Sequence, residues 1–203
     1  MKQSLVIPAA SAAAEIERKR SRFIALLDPA ESRSQVDSLL SGYREKYSDA
    51  RHIIYAFRLG GYSREILGMT DAGEPKGTAG RPVMDVLAGR DLTNSLITVV
   101  RYFGGVKLGT GGLARAYGDA AREVIEAASL HPLVDMVCLR ARVPYSLVDA
   151  VHRLFVEYGA DVQKEVYDVA ISVQIALPAT QADAFCQAVR DISAATVEFI
   201  ACE

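Results

Sequence analysis

No apolar run in this 203-residue chain approaches the ~20 residues that span a bilayer. The opening MKQSLVIPAASAAAEIERKR has no long apolar core before charge resumes, so neither a membrane span nor a secretory leader is expected. Cysteine is scarce: Cys138, Cys186 and Cys202 all fall in the last third, with no C-x-x-C or other metal-ligand spacing. An odd count so placed predicts reduced, partly buried thiols, and with them a soluble, cytoplasmic protein. No Gly-Lys-[Ser/Thr] occurs, which excludes a Walker phosphate loop, and there is no G-x-S-x-G. No Ser-His-Asp or Cys-His grouping is legible either, so no catalytic residue, cofactor or metal is assigned. Internal repeats and low-complexity linkers are also missing.

What is present describes a folded protein. Half the residues are hydrophobic and 24% are charged, and the length suits two modest domains better than one small one. The net charge of -2 conceals an asymmetry. Residues 1–133 carry 18 Lys and Arg against 15 Asp and Glu, whereas residues 134–203 carry 5 against 10. The basic excess is concentrated from Lys76 to Arg115, where Lys76, Arg81, Arg90, Arg101, Lys107 and Arg115 face only Asp85 and Asp91 in the count. That balance of +4 is a polyanion footprint, weaker than the stripe of a dedicated nucleic-acid binder.

Taken in order, residues 12–17 and 22–27 read as strands. Ser32 with Gln35 forms a capping box for a helix over 33–46, in which Val36, Leu39, Leu40 and Tyr43 recur at helical spacing. Arg51 to Leu59 alternates, predicting a half-buried strand with its second face, bearing His52, Ile54, Ala56 and Arg58, open to a ligand. Gly60-Gly61 breaks it ahead of a hairpin partner at 64–69. TDAGEPKGTAGRP, residues 70–82, is a loop, and Pro82 opens a helix that stops near Gly89. The stretch NSLITVVRYFGGVKLGTGGLARAYG, residues 94–118, reads as buried strand, glycine loop and helix, the helix running over 113–128. Beyond His131-Pro132, strands at 134–143, 161–167, 169–177 and 195–201 alternate with helices at 146–158 and 180–191. That is βαββαβ, the ferredoxin-like order. The expected domains are therefore 1–133 and 134–203.

The glycine loop is the main chemical candidate. Gly109-x-Gly111-x-x-Ala114 satisfies a relaxed dinucleotide fingerprint, but five extra residues separate it from the strand, and the order downstream is not that of a doubly wound sheet. Two readings stay open: backbone N–H groups of Gly109, Thr110 and Gly111 presented to an anion beside Lys107, or glycines needed only for positive φ and close packing. Arg115 and Arg122 precede Asp119 and Glu126 by four residues, a spacing that fits ordinary surface pairs, and for Arg122 the pair with Glu126 is the favoured reading. Arg101, in an apolar strand, must be paired or emerge at an edge. Asp71 and Glu74, with help from His52, match no known metal-ligand set, and carboxylates in such a loop more often cap turns and helix ends. His152 reads as a satisfied half-buried residue, and His131 as a turn residue.

Asp71-x-Gly-Glu-Pro-x-Gly-Thr-Ala-Gly-Arg-Pro82, Leu92-Thr-Asn94, and Val100 to Leu113 with Ala116-Tyr-Gly118 together closely resemble the IMPACT/YigZ family. Arg22-Phe-Ile-Ala25, His52 and Tyr55-Ala56 fall at its early landmarks, so the likeness covers essentially the whole chain. The resemblance implies an α+β protein. Its first domain would be similar to ribosomal protein S5 domain 2, a mixed sheet with helices on one side, and its second similar to domain V of elongation factor G. Eukaryotic relatives regulate translation through an additional N-terminal interaction domain that this sequence does not show. The family usually has a second acidic residue after Asp71, where this chain has Ala72.

The leading expectation is a non-enzymatic, translation-associated binding protein that contacts RNA or the ribosome through Lys76, Arg81, Arg101, Lys107, Gly109, Thr110, Gly111 and Arg115, without sequence-specific DNA or membrane binding. Two alternatives accompany it: an enzyme acting on a phosphorylated small molecule or nucleotide, with Asp71 as the first choice of base, and a protein–protein module that docks through the acidic second domain.

Overall fold

The computed structural model describes residues 5–61 and 64–202. Contacts divide the chain into two compact units, Met1–Leu133 and Val134–Glu203. The first unit contains β1 (Val6–Pro8), β2 (Ala12–Arg18), β3 (Ser21–Pro29), α1 (Arg33–Lys46), β4 (His52–Gly60), β5 (Glu65–Thr70), α2 (Gly80–Gly89), β6 (Ser95–Tyr102), α3 (Thr110–Glu126) and β7 (Leu130–Pro132). Its main sheet has the order β2-β3-β6-β4-β5. Every pairing in that sheet is antiparallel, where a mixed sheet was expected. β1 and β7 form a separate two-stranded ribbon, which places His131 opposite Ile7 in a strand rather than in a turn.

The apolar strand β6 is central, buried along nearly its whole length. On one face of the sheet, Phe23, Ile54, Ile97 and Val99 pack with Val83 and Leu87 of α2 and with Tyr117 and Val124 of α3. On the other, Phe57, Leu59 and Leu96 pack with Val36 and Leu40 of α1. Each fully buried Leu, Ile or Phe side chain contributes on the order of 1.5–3 kcal/mol relative to exposure. β4 is thus covered on both faces, against the expectation of a ligand-facing side and of helices on one side only. The reason lies in its sequence: alternation in HIIYAFRLG sets apolar side chains against apolar side chains, and only His52 and Arg58 are polar. α1 is held at its start as expected, with Ser32 Oγ accepting from the Gln35 N–H at 3.3 Å and the Gln35 side chain accepting from the Ser32 N–H. The tip of the β4–β5 hairpin, residues 62–63, lies outside the described residues.

The second unit contains β8 (Met136–Val143), α4 (Val148–Glu157), β9 (Asp161–Tyr167), β10 (Ile171–Pro178), α5 (Ala182–Ser193) and β11 (Ile200–Ala201). Short 3-10 turns lead into both helices. The sheet order β11-β8-β10-β9 places the unit's strands fourth, first, third, second, all antiparallel, which is the ferredoxin-like arrangement. α4 and α5 cover one face, where Leu139, Val173, Ile175 and Leu177 meet Val151, Phe155, Phe185 and Val189. The last strand is only two residues long. Ala194 and Ala195 take positive φ at the end of α5, and Val197 and Phe199 then turn into the helix-side core before pairing begins.

The cysteines differ from expectation. Cys138 of β8 and Cys202 after β11 form a disulfide, and the Cys202 N–H donates to the Cys138 carbonyl at 2.9 Å. Their separation of 64 residues hid the fact that antiparallel pairing makes them neighbours. Cys186 is free and half-buried, and burial pushes its thiol pKa up. No described helix is long and apolar enough to cross a membrane.

Candidate nucleic-acid interface

The loop between β5 and α2 is organised by its two carboxylates. Asp71 accepts hydrogen bonds from the N–H groups of Gly77 (2.7 Å), Ala79 (3.0 Å) and Gly80 (2.8 Å). It therefore caps α2, whose own N-cap residue, Ala79, has no side-chain acceptor. Partial burial alone would raise the Asp71 pKa, but the three backbone donors outweigh it and hold the carboxyl below its ordinary value. The residue considered as a base is thus an anchor for a helix start. His52 Nδ1 lies 3.0 Å from the carbonyl of Ala72, which fastens the turn to β4.

Glu74 reaches the opposite way, into the core. It accepts from Arg101 Nη1 at 2.5 Å and from the Tyr117 hydroxyl at 2.8 Å, and the Glu74 and Arg101 side chains are only 4% and 7% exposed. Burial and the Glu74 acceptor push the Tyr117 hydroxyl pKa up. The Arg101 guanidinium lies over the rings of Phe23 and Phe103, each at 5.6 Å, and its Nε has no hydrogen-bond partner among the described atoms. Arg101 is therefore an internal cation, paired and out of reach of a surface ligand. In the sequence Tyr117 stands out only within the Ala116-Tyr-Gly118 landmark; the one signal of this role is a phenol at a buried helix position, where a hydroxyl needs a partner.

The glycines of residues 104–112 separate by cause. A Cβ on Gly104 would collide with the Arg20 carbonyl, and Gly105 and Gly109 have φ of 83° and 76°. A Cβ on Gly112 would lie 3.1 Å from the Leu108 Cβ. Gly111 differs, with nothing within 4 Å of where its side chain would be. Gly111 and Gly112 also lie inside α3, which starts at Thr110 rather than near 113, because first-turn residues need no intrahelical N–H partner. No side chain caps that start, and no acidic residue occupies its first turn. The helix thus presents bare amides and the positive end of its dipole at an exposed, glycine-lined terminus, three residues after exposed Lys107.

The other sequence candidates fall in different places. Arg81 is on α2 in an i,i+4 pair with Asp85 at 2.7 Å. Arg115 is not paired with Asp119, which instead holds Arg18 at 3.2 Å and Arg122 at 2.6 Å. Glu126 pairs with Arg90 rather than Arg122. Arg115 lines an open groove of about 520 Å³ between α2 and α3, together with Arg90 and Arg122. Among the described residues, Lys76, Lys107 and Arg115 are exposed cations with no carboxylate partner.

The loop and strand that form this arrangement lie within residues 19–125, which match the family described as the Impact N-terminal domain. The chain belongs to the IMPACT family. A second match, to a domain of unknown function (DUF1949), covers residues 142–196. An IMPACT family member in the pol 5' region of Thermus thermophilus is 43% identical over 136 residues, 67% of this chain and 72% of the relative. The IMPACT family member YigZ of Escherichia coli strain K12 is 29% identical over 202 residues, 99% of each chain. A crystal structure of a hypothetical protein superposes with a TM-score of 0.77 at 29% identity, covering 100% of this chain and 99% of that one. The two-domain IMPACT architecture therefore runs through the whole chain.

Proposed function

We propose that this IMPACT protein is a translation-associated regulator that binds RNA, and that its first unit grips the phosphodiester backbone at the start of α3. One observation carries the reading: the exposed, uncapped N-terminus at Gly109–Gly111, with Lys107 beside it and Arg115 in the adjoining groove. Backbone amides at a helix start suit a phosphate oxygen, and flanking cations add attraction that depends on salt. Lys76 extends the same basic unit, whereas Arg101 and Arg81 are engaged internally and with Asp85. The link to translation rests on the resemblance of both domains to domains of the translation machinery. No side-chain chemistry in the loop favours catalysis, since Asp71 and Glu74 are both occupied structurally.

The test is a salt titration of binding to a single-stranded RNA. Affinity should fall steeply with salt, and Lys107→Ala should reduce the log–log slope by about 0.7, one phosphate contact on a single strand. Failure to bind RNA at low salt, or an affinity indifferent to salt, would refute the proposal.

A further inference from the structure

The second unit has a surface whose charge runs against its composition. Residues 134–203 hold ten acidic and five basic residues. Three of those five, Arg140 and Arg142 of β8 and Lys164 of β9, line one shallow depression of about 350 Å³ on the sheet. The register explains the grouping. Gln174 of β10 pairs with Arg140 on one side and Lys164 on the other, and Ser172 pairs with Arg142 and Val166, so these side chains share the face opposite the helix-covered core. Arg140 and Arg142, two residues apart on one strand, stand about 6.6 Å from each other along it.

All three cations are exposed and, among the described residues, unpaired. Acidic groups are close in sequence but engaged elsewhere: Glu165 holds His152 at 2.8 Å and Asp161 accepts from Gln163. Glu198, which also lines the depression, pairs with Arg190 at 3.5 Å. Like charges crowded on one open face raise the energy of the free protein, and an anion offsets that cost. Gln174 and Ser172 add neutral hydrogen-bonding groups between the cations. Val166 and Ile200 supply an apolar wall, but no aromatic side chain lines the depression to stack a base.

We infer that the open sheet face of the second unit is a distinct RNA-binding surface, at which Arg140, Arg142 and Lys164 contact the phosphodiester backbone of a single strand without reading its bases. Repeating negative charge on a flexible, extended chain fits an open face with separated cations and no deep pocket. The surface is separate in sequence from the start of α3, so it stands or falls independently of the reading for the first unit.

The test uses the full chain and a fluorescein-labelled oligouridylate 20-mer, with affinity measured against KCl concentration. The triple variant Arg140→Gln/Arg142→Gln/Lys164→Gln should flatten the log–log slope by about 2 and weaken binding on the order of 100-fold at 0.1 M salt, about 0.7 per lost contact. Arg140→Lys/Arg142→Lys should keep the wild-type slope, because it preserves the charges. The three positions are exposed and removing their charges relieves like-charge crowding, so thermal unfolding of the triple variant should occur no lower than that of wild type. Lys107→Ala, assayed in parallel, reports the first unit's contact alone. A triple variant with the wild-type slope overturns the inference, whatever Lys107→Ala does. So does displacement of the RNA by poly-glutamate as effectively as by unlabelled RNA, which would mark the face as a dock for acidic protein.

Discussion

Removing the Glu74 carboxylate is the sharpest test of how the first unit is held together. Glu74→Ala leaves a guanidinium that is 7% exposed with no counter-charge, and leaves the Tyr117 hydroxyl without its acceptor. Breaking a buried pair from one side costs about 3–5 kcal/mol. An orphaned buried hydroxyl adds roughly 1–3 kcal/mol, less than additively within one network. Against a typical domain stability of about 5–15 kcal/mol, that is at least about a fifth of the total. Native-state hydrogen exchange of the Val99 and Val100 amides, at the centre of β6, reads it directly. Their protection should fall by at least about two to three and a half orders of magnitude, the share of the ion pair alone at about 1.4 kcal/mol per tenfold. Glu74→Gln combined with Arg101→Met should recover part of the loss, since that pair of changes removes the stranded charge. A fall of less than tenfold in Glu74→Ala would show that Arg101 is solvated and that the buried pair does not organise the unit.

The Asp71 cap makes acid stability a readout. Because its folded pKa is lowered, the unfolded state binds the additional proton, and the stabilisation is present above the ordinary value of about 3.9 and is lost as pH falls toward the folded one. Asp71→Ala should cost about 1–3 kcal/mol in urea unfolding at pH 7, and noticeably less than that at pH 3. The two glycine classes should separate as well. Gly104→Ala should destabilise strongly through the clash with the Arg20 carbonyl, whereas Gly111→Ala should stabilise α3 by up to about 1 kcal/mol by thermal unfolding.

Much of the fold was legible because local signals and tertiary packing agree. Ser32 with Gln35, the alternation of β4, the stop at Gly89 and the βαββαβ rhythm all appear as read. The covered second face of β4 was missed because a strand packed on both sides and one packed on one side differ only in how apolar the second set is, and His52 and Arg58 at the two ends of that set blurred the difference. The pairing of Cys138 with Cys202 and the grouping of Arg140, Arg142 and Lys164 depend on register across strands far apart in sequence, and no local pattern carries that. At the site, the alternatives for Arg101 were legible, but the partner, Glu74, lies 27 residues away. The distinction between Gly104 and Gly111 is one of neighbours rather than residue type.

The loop carrying Asp71 and Glu74 has one carboxylate fixed to the start of α2 and the other to β6 and α3. Two carboxylates three residues apart thus tie the loop to three elements of the fold without any partner present. On the reading proposed above, encounter with a polyanion should then be set by diffusion and electrostatic steering, with an on-rate that falls as ionic strength rises and no slow ordering phase in stopped-flow binding.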